Sequence, residues 1–345
     1  DFVEDWLKEA NFDVERLEYI DDNGERKVNL VGKKGEGTGG LGFFSHSDTV
    51  PGQEEDWPAF DPTEKEGRLF GRGSCDMKGP LAATMIAASK VDAAQLKEPV
   101  YVVVTSDEEI GCIGAKFVAE NSAVLRQSKP KYGVIAEPTE LVPVYAHKGF
   151  GSMTITAHGK AAHTSTGLGT SANLLIAPLL SEIAAMADKF EKDESFMNRE
   201  FTPPTVCINM TLDDGNCAVN VTASKSVCRL SFRPMPNARS EEIIPMITER
   251  AQAYGFDVES DFNSAFYVSP DNAIIQASRD FTGNDNVETV SYGTDGFYFK
   301  DLMDMVVLGP GDIRVAHTVA ESVPIAELEQ AVTVYDQMIQ RFCLS

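Results

Sequence analysis

Pro99-Val100-Tyr101-Val102-Val103-Val104-Thr105 carries no charged or small polar side chain until its last residue, and that continuity constrains the fold more than any other stretch. A strand with one wetted face alternates apolar and polar residues, because successive side chains point to opposite sides. A strand without alternation has to be covered on both faces, as in a sheet with helices on either side. Tyr132-Gly133-Val134-Ile135-Ala136, Leu41-Gly42-Phe43-Phe44-Ser45 and Asp304-Met305-Val306-Val307-Leu308 share this texture, and shorter strand-like runs span 14–20 and 27–31. Helical patterns fall between them: an Ala-rich run ending at Lys90, with Pro80 in its first turn, and a stretch over 114–127. The pattern predicts an α/β domain, a mixed sheet flanked by helices.

The strand ends are chemically alike. Leu41–Ser45 runs into His46-Ser47-Asp48, Thr105 into Ser106-Asp107-Glu108-Glu109, and Ala136 into Glu137-Pro138. The strand at 304–308 leads through Gly309-Pro310-Gly311 to a loop with His317, and Gly71-Arg72-Gly73-Ser74-Cys75-Asp76 opens the Ala-rich helix. Ligands of open α/β sheets bind beyond the carboxyl ends of the strands. On an extended chain His46 and Asp48 face the same way, so His46 can hold a metal while Asp48 fixes its other ring nitrogen.

Together, His46, Asp76, Glu109, Glu137 and His317 offer two imidazoles and three carboxylates. This set suits zinc first, with cobalt or manganese as substitutes. If Asp76 bridges, each of two ions has one histidine, one terminal carboxylate and the shared one, with a position left for water, which is a two-metal hydrolytic arrangement. Glu108 and Glu109 point to different sides of an extended segment, so one can hold metal while the other takes a proton from water. Singly, each residue also has an ordinary reading. Asp76 reads equally as a helix N-cap, Glu137 as a turn residue, His317 as a loop histidine and the Glu-Glu pair as a solvated loop.

From Gly149 the texture changes to alternating strands at 152–157, 205–210 and 226–232, with amphipathic helices near 171–190 and 240–254. The first texture resumes near 264. A chain of 345 residues exceeds one ordinary core, so two domains are expected: 1–148 with 264–345, interrupted by an α+β module at 149–263. The net charge of −23 argues against nucleic acid or anionic membrane as partners. No apolar run approaches the ~20 residues that span a bilayer. Six scattered cysteines form no Cys-x-x-Cys pair or dense framework and fit a reducing cytoplasm. Helical spacing already begins at Asp1-Phe2-Val3, which reads as a start partway through an element.

His46-Ser47-Asp48-Thr49-Val50-Pro51, Gly71 to Gly79, Ser106-Asp107-Glu108-Glu109-Ile110-Gly111, Ala136-Glu137-Pro138-Thr139, and Gly309-Pro310-Gly311 with His317 resemble, in order, the motifs of the dinuclear-zinc aminoacylase and carboxypeptidase family. The resemblance spans essentially the whole chain. It implies a zinc-peptidase-like catalytic domain, with an inserted ferredoxin-like module serving dimerisation or as a lid, and hence a homodimer. It also implies one zinc on His46, Asp76 and Glu137, a second on Asp76, Glu109 and His317, Glu108 as general base, and Asp48 behind His46. His163, in Gly159-Lys160-Ala161-Ala162-His163, matches the residue that polarises the scissile carbonyl from the neighbouring subunit. Arg233 matches a clamp for a substrate carboxylate, and Asn220 and Thr294 are further expected contacts. Ala136 to Glu140, Ala146-His147-Lys148-Gly149, and Glu321 four beyond His317 are most similar to acetylornithine deacetylases, with desuccinylases and carboxypeptidase-type dipeptidases as alternatives. A catalytically dead metal-binding relative would lack the base or a ligand, and none is missing here.

Overall fold

The computed structural model describes residues 1–52 and 57–344. The chain divides into two compact units, one of 1–146, 267–288 and 294–345, the other of 147–266 and 289–293.

In the first unit, strands Asp13–Ile20 and Arg26–Lys34 form an antiparallel hairpin at one edge of a mixed sheet. Arg26–Lys34 pairs antiparallel with Val100–Thr105. From there Val100–Thr105, Leu41–His46, Tyr132–Ile135 and Asp304–Val307 lie side by side and parallel. Every residue of Val100–Thr105 and Leu41–His46 is buried, as the unbroken apolar runs predicted. Helix Lys78–Ser89 packs on Leu41–His46 and against helix Ile325–Ile339, while Ile113–Asn121 packs on Arg26–Lys34. Parallel pairing brings His46 level with Thr105 and Phe44 level with Ile135, so the segments that follow emerge at one edge.

Lys34 ends its strand as a buried cation. Its Nζ donates to the carbonyls of Ala88, Ser89 and Val91 at 3.1, 3.3 and 3.3 Å, at the C-terminal end of helix Lys78–Ser89. It also lies 4.4 Å over the Phe12 ring. One ammonium thus serves carbonyls the helix cannot pair internally and complements the negative end of its dipole. Lys34→Met keeps the apolar stem and removes only the donors. It is expected to lower the unfolding free energy by about 1–3 kcal/mol, read as a lower urea midpoint at unchanged slope. A midpoint equal to the parent's would show that water serves these carbonyls equally well.

Two predicted elements differ from the structure. The helix expected over 114–127 is two helices, Ile113–Asn121 and Ala123–Ser128. Ser122 is extended at the junction, and its hydroxyl accepts from Leu125 N at 3.0 Å, capping the second helix. The strand expected over 205–210 begins only at Asn209. Before it, Cys207 has a φ of 52°, and the Pro203 and Thr205 carbonyls each accept from the buried Lys148 Nζ at 2.7 Å instead of a neighbouring strand.

The second unit runs strand, helix, strand, strand, helix, strand. Its antiparallel sheet has the order Asn209–Asp213, Lys225–Phe232, Phe150–His158, Asp257–Asn263. Helices Ala172–Lys192 and Ile243–Ala253 pack against it. Phe150–His158 alternates between half-buried and buried residues, as a sheet with a single covered face requires.

Candidate active site

His46 closes its strand at the edge where the parallel strands end, fully buried. Its Nε2 is 3.0 Å from Asp76 Oδ1 and 3.6 Å from Glu137 Oε1. The other oxygen of Asp76 is 3.2 Å from His317 Nε2, which is 3.0 Å from Glu109 Oε2. The result is an unbroken series, Glu137, His46, Asp76, His317, Glu109, with the Asp76 carboxylate between two imidazoles and one oxygen toward each. Asp76 does not cap the following helix. Met77 occupies that position, and no side chain caps it.

Behind His46, Nδ1 faces Asp48, 3.1 Å from its backbone oxygen and 3.5 Å from its carboxylate Oδ1. The second oxygen of Asp48 accepts from Glu109 N at 3.2 Å, tying this carboxylate to the segment that carries Glu109.

The Ser106–Glu109 turn is held at several points. Ser106 N donates to Asn29 Oδ1 at 2.9 Å, and Gly111 N and Cys112 N both donate to the Glu108 carbonyl at 2.9 Å. Asp107, in the left-handed region with φ 56°, takes Tyr19 Oη at 2.6 Å and Lys27 Nζ at 2.8 Å. A Cβ on Gly114 would stand 2.1 Å from the Ser106 carbonyl oxygen, so only glycine lets the helix start this close to the turn. The Cys112 thiol reaches Glu108 Oε1 at 3.5 Å.

The electrostatics of this cluster follow from packing several carboxylates around two imidazoles. Among the described residues, the ion pairs of Asp76, Glu109 and Glu137 are all with His46 or His317. Burial, reinforced by Asp76, pushes Glu137 well above the usual carboxylate range. Burial also lifts Glu108 to about 8, with His46 opposing and Asp295, Asp76 and Glu109 adding to the rise. The hydrogen bond to Asp76 raises His317 to about 9. On His46, burial works against charge, but hydrogen bonds to Asp48 and Asp76 outweigh it and raise its pKa. Asp76 shifts the other way: burial raises it, but hydrogen bonds to His317 and His46 outweigh burial and hold its carboxyl below the usual range. Cations between buried carboxylates favour their ionised form. The donor set of imidazole nitrogens and carboxylate oxygens fits divalent ions of the zinc type.

Sequence reasoning missed Asp295. It is buried, its Oδ2 accepts from Thr105 Oγ1 at 2.5 Å, and burial raises its pKa to about 6. With Glu108 and Cys112 it forms a second compact donor group. The available signal was Tyr292-Gly293-Thr294-Asp295-Gly296, which places a carboxylate beside the expected contact Thr294. Thr294 itself is fully buried in the first unit, and its hydroxyl accepts from Gly296 N at 3.1 Å. His163, Asn220 and Arg233 belong to the second unit. His163 is exposed, with Nδ1 2.7 Å from Ser165 Oγ. The Asn220 carbonyl accepts from Thr164 N at 3.0 Å, and the Arg233 guanidinium lies 5.2 Å over the Phe150 ring.

A family model described as peptidase family M20/M25/M40 matches residues 42–341. The chain belongs to this family. It is 33% identical over 357 residues to an acetylornithine deacetylase of Myxococcus xanthus, covering 99% of this chain and 91% of the relative. An acetylornithine deacetylase of Proteus mirabilis is 31% identical over 351 residues, covering 99% and 88%. The fold matches an M20 family metallo-carboxypeptidase of Sulfolobus solfataricus with a TM-score of 0.74 at 16% identity, over 98% of this chain and 92% of the other. A dinuclear metal binding peptidase of Bacillus subtilis matches with a TM-score of 0.65 at 14% identity, over 98% and 90%. The expected α/β architecture and family therefore hold, and this M20 chain is a metal-dependent amidohydrolase acting on small acyl amino acids or peptides. No helix among the described residues is long and apolar enough to cross a membrane.

Proposed function

We propose that the protein hydrolyses the amide bond of an N-acyl amino acid, N-acetylornithine before others, in the cytoplasm and with two zinc ions per chain. The observation that carries the metal reading is the Asp76 carboxylate, with one oxygen 3.0 Å from the His46 imidazole and the other 3.2 Å from that of His317. One ion would be held by His46, Asp76 and Glu137, the other by Asp76, Glu109 and His317, and cobalt or manganese can substitute. When bound, the ions supply positive charge that acidifies water and polarises a carbonyl.

The protein's own groups do the rest. Glu108 takes a proton from the attacking water at its carboxylate and delivers it to the leaving nitrogen, the two halves of general acid–base catalysis. Asp48 holds the His46 ring with Nε2 turned toward Asp76 and Glu137. His163, reaching in from the neighbouring subunit of the homodimer, donates a hydrogen bond to the carbonyl oxygen as charge gathers there, and Arg233 clamps the substrate carboxylate with its planar fork. Asn220 and Thr294 complete the substrate surface. In this reading the second unit is the dimerisation and lid module, and the enzyme is a homodimer. Exposed Leu168, Leu174, Leu212 and Val219, with the open edge of Asn209–Asp213, support that assignment.

Amine release by zinc- or cobalt-loaded protein, with a chelator control, tests the reading across N-acetylornithine, other N-acetyl amino acids, N-succinyl-diaminopimelate and dipeptides. Chelator-sensitive turnover fastest on N-acetylornithine is expected. Preference for another substrate would reassign the acyl group, and silence on every substrate with both ions bound would remove N-acetylornithine and point to an acyl group outside this panel or to a non-catalytic role.

A further inference from the structure

We infer that Glu321 is a positioning residue for the metal centre, holding the Asp76 turn and the His317 loop in one fixed relation. The inference rests on the two-metal reading above and adds a group that touches neither ion. Glu321 is completely buried. Its Oε1 accepts three backbone N–H groups, from Gly73 at 2.8 Å, Cys75 at 3.2 Å and Asp76 at 3.1 Å. Its Oε2 pairs with Arg72 Nη1. The turn from Arg72 to Asp76 is thus wrapped around a single carboxylate, and the last N–H in it belongs to the residue whose side chain lies between the two imidazoles.

The other end of the link is local. Glu321 N donates to Thr318 O at 3.3 Å, so Glu321 closes the loop that carries His317. Gly71 N donates to the Glu321 carbonyl at 3.2 Å, and Ser322 lies opposite Phe70 in the short sheet of Thr63–Lys65, Arg68–Phe70 and Ser322–Pro324. Arg68 adds hydrogen bonds to Ser322 Oγ at 3.0 Å and Ser322 O at 3.1 Å. Two loops far apart in sequence therefore meet on one residue, the Asp76 turn on its carboxylate and the His317 loop on its backbone.

Stability alone is a poor reason for this arrangement, because a buried ion pair is often replaced by apolar residues of similar volume without loss. Position is a better reason. An anion collecting several backbone N–H groups sets their directions and hence the path of the turn. Asp76 faces His46 and His317 with one oxygen each, and an arrangement of this kind needs its supporting groups held to within about 0.5 Å.

Glu321→Gln tests this, because it keeps the volume but turns one acceptor oxygen into an amide donor. The parent and variant are titrated with zinc against a chromophoric chelator. The cobalt-loaded forms are compared by visible absorption, and kcat and KM are measured separately. Ion affinity 10–100-fold weaker, an altered cobalt spectrum and a fall in kcat at nearly constant KM are expected, the affinity range being that seen when groups orienting metal ligands are removed. Arg72→Lys, which leaves the Glu321 carboxylate in place but removes the guanidinium fork, is the second variant, with a loss of about 10-fold expected. If Glu321→Gln does not fold, Arg72→Lys decides. Parental affinities and spectra in the folded variants overturn the inference, even with lowered thermal stability. A parent that binds no ions overturns the metal reading itself, which the same titration shows first.

Discussion

Glu108→Gln is expected to lower kcat by about 10²- to 10⁴-fold while both ions remain bound. The amide copies the carboxylate's shape but can neither take a proton from water nor return one to the leaving nitrogen. Glu108 lies outside the series from Glu137 to Glu109 in which carboxylates and imidazoles alternate, so its loss subtracts no donor from either ion. The neighbouring substitution, Glu109→Gln, is the internal control. It removes a group 3.0 Å from His317 Nε2 and is expected to weaken metal binding on that side. Metal content by elemental analysis, measured alongside turnover, separates the two. Full turnover in Glu108→Gln would eliminate it as the base, and loss of metal would recast it as a ligand.

The proposed division of roles between two adjacent glutamates was legible because of where they stand. The strand before them has no alternation, which places its end at the edge of a covered sheet, and the same logic located His46 and Glu137. Asp76 was harder to read. Gly-Ser-Cys-Asp before a helix suits a cap as well as a ligand, and only the position of Met77 as the N-cap separates the two. Glu321 and Asp107 were less legible still. Glu321 is satisfied by backbone N–H groups and by Arg72 from a segment far away in sequence, and Asp107 by Tyr19 and Lys27. Backbone donors leave no residue-type signature, and a distant ion pair leaves no periodicity. Breaks within elements were also hidden. Ser122 ends one helix and caps the next through a hydroxyl, yet the apolar spacing runs across it unbroken. Lys148, buried beneath the Pro203 and Thr205 carbonyls, displaces a strand that local composition favoured.

Asp76→Asn is the second substitution with a large expected effect, and it tests the bridge directly. If one carboxylate serves both ions, a neutral amide weakens both sites together, because its nitrogen presents hydrogens where an acceptor is needed. The loss should exceed the 10–100-fold typical of groups that only orient ligands, and zinc stoichiometry should fall from two ions toward none at micromolar metal. Glu137→Gln and Glu109→Gln each remove one terminal carboxylate, so each should weaken one ion and leave the other near parental affinity. Calorimetric titration of the three variants distinguishes a shared ligand from two independent sites. Should Asp76→Asn lose a single ion and hold the other as tightly as the parent, Asp76 would belong to one site only. The 3.2 Å approach of its second oxygen to His317 would then be an ordinary hydrogen bond between a carboxylate and an imidazole.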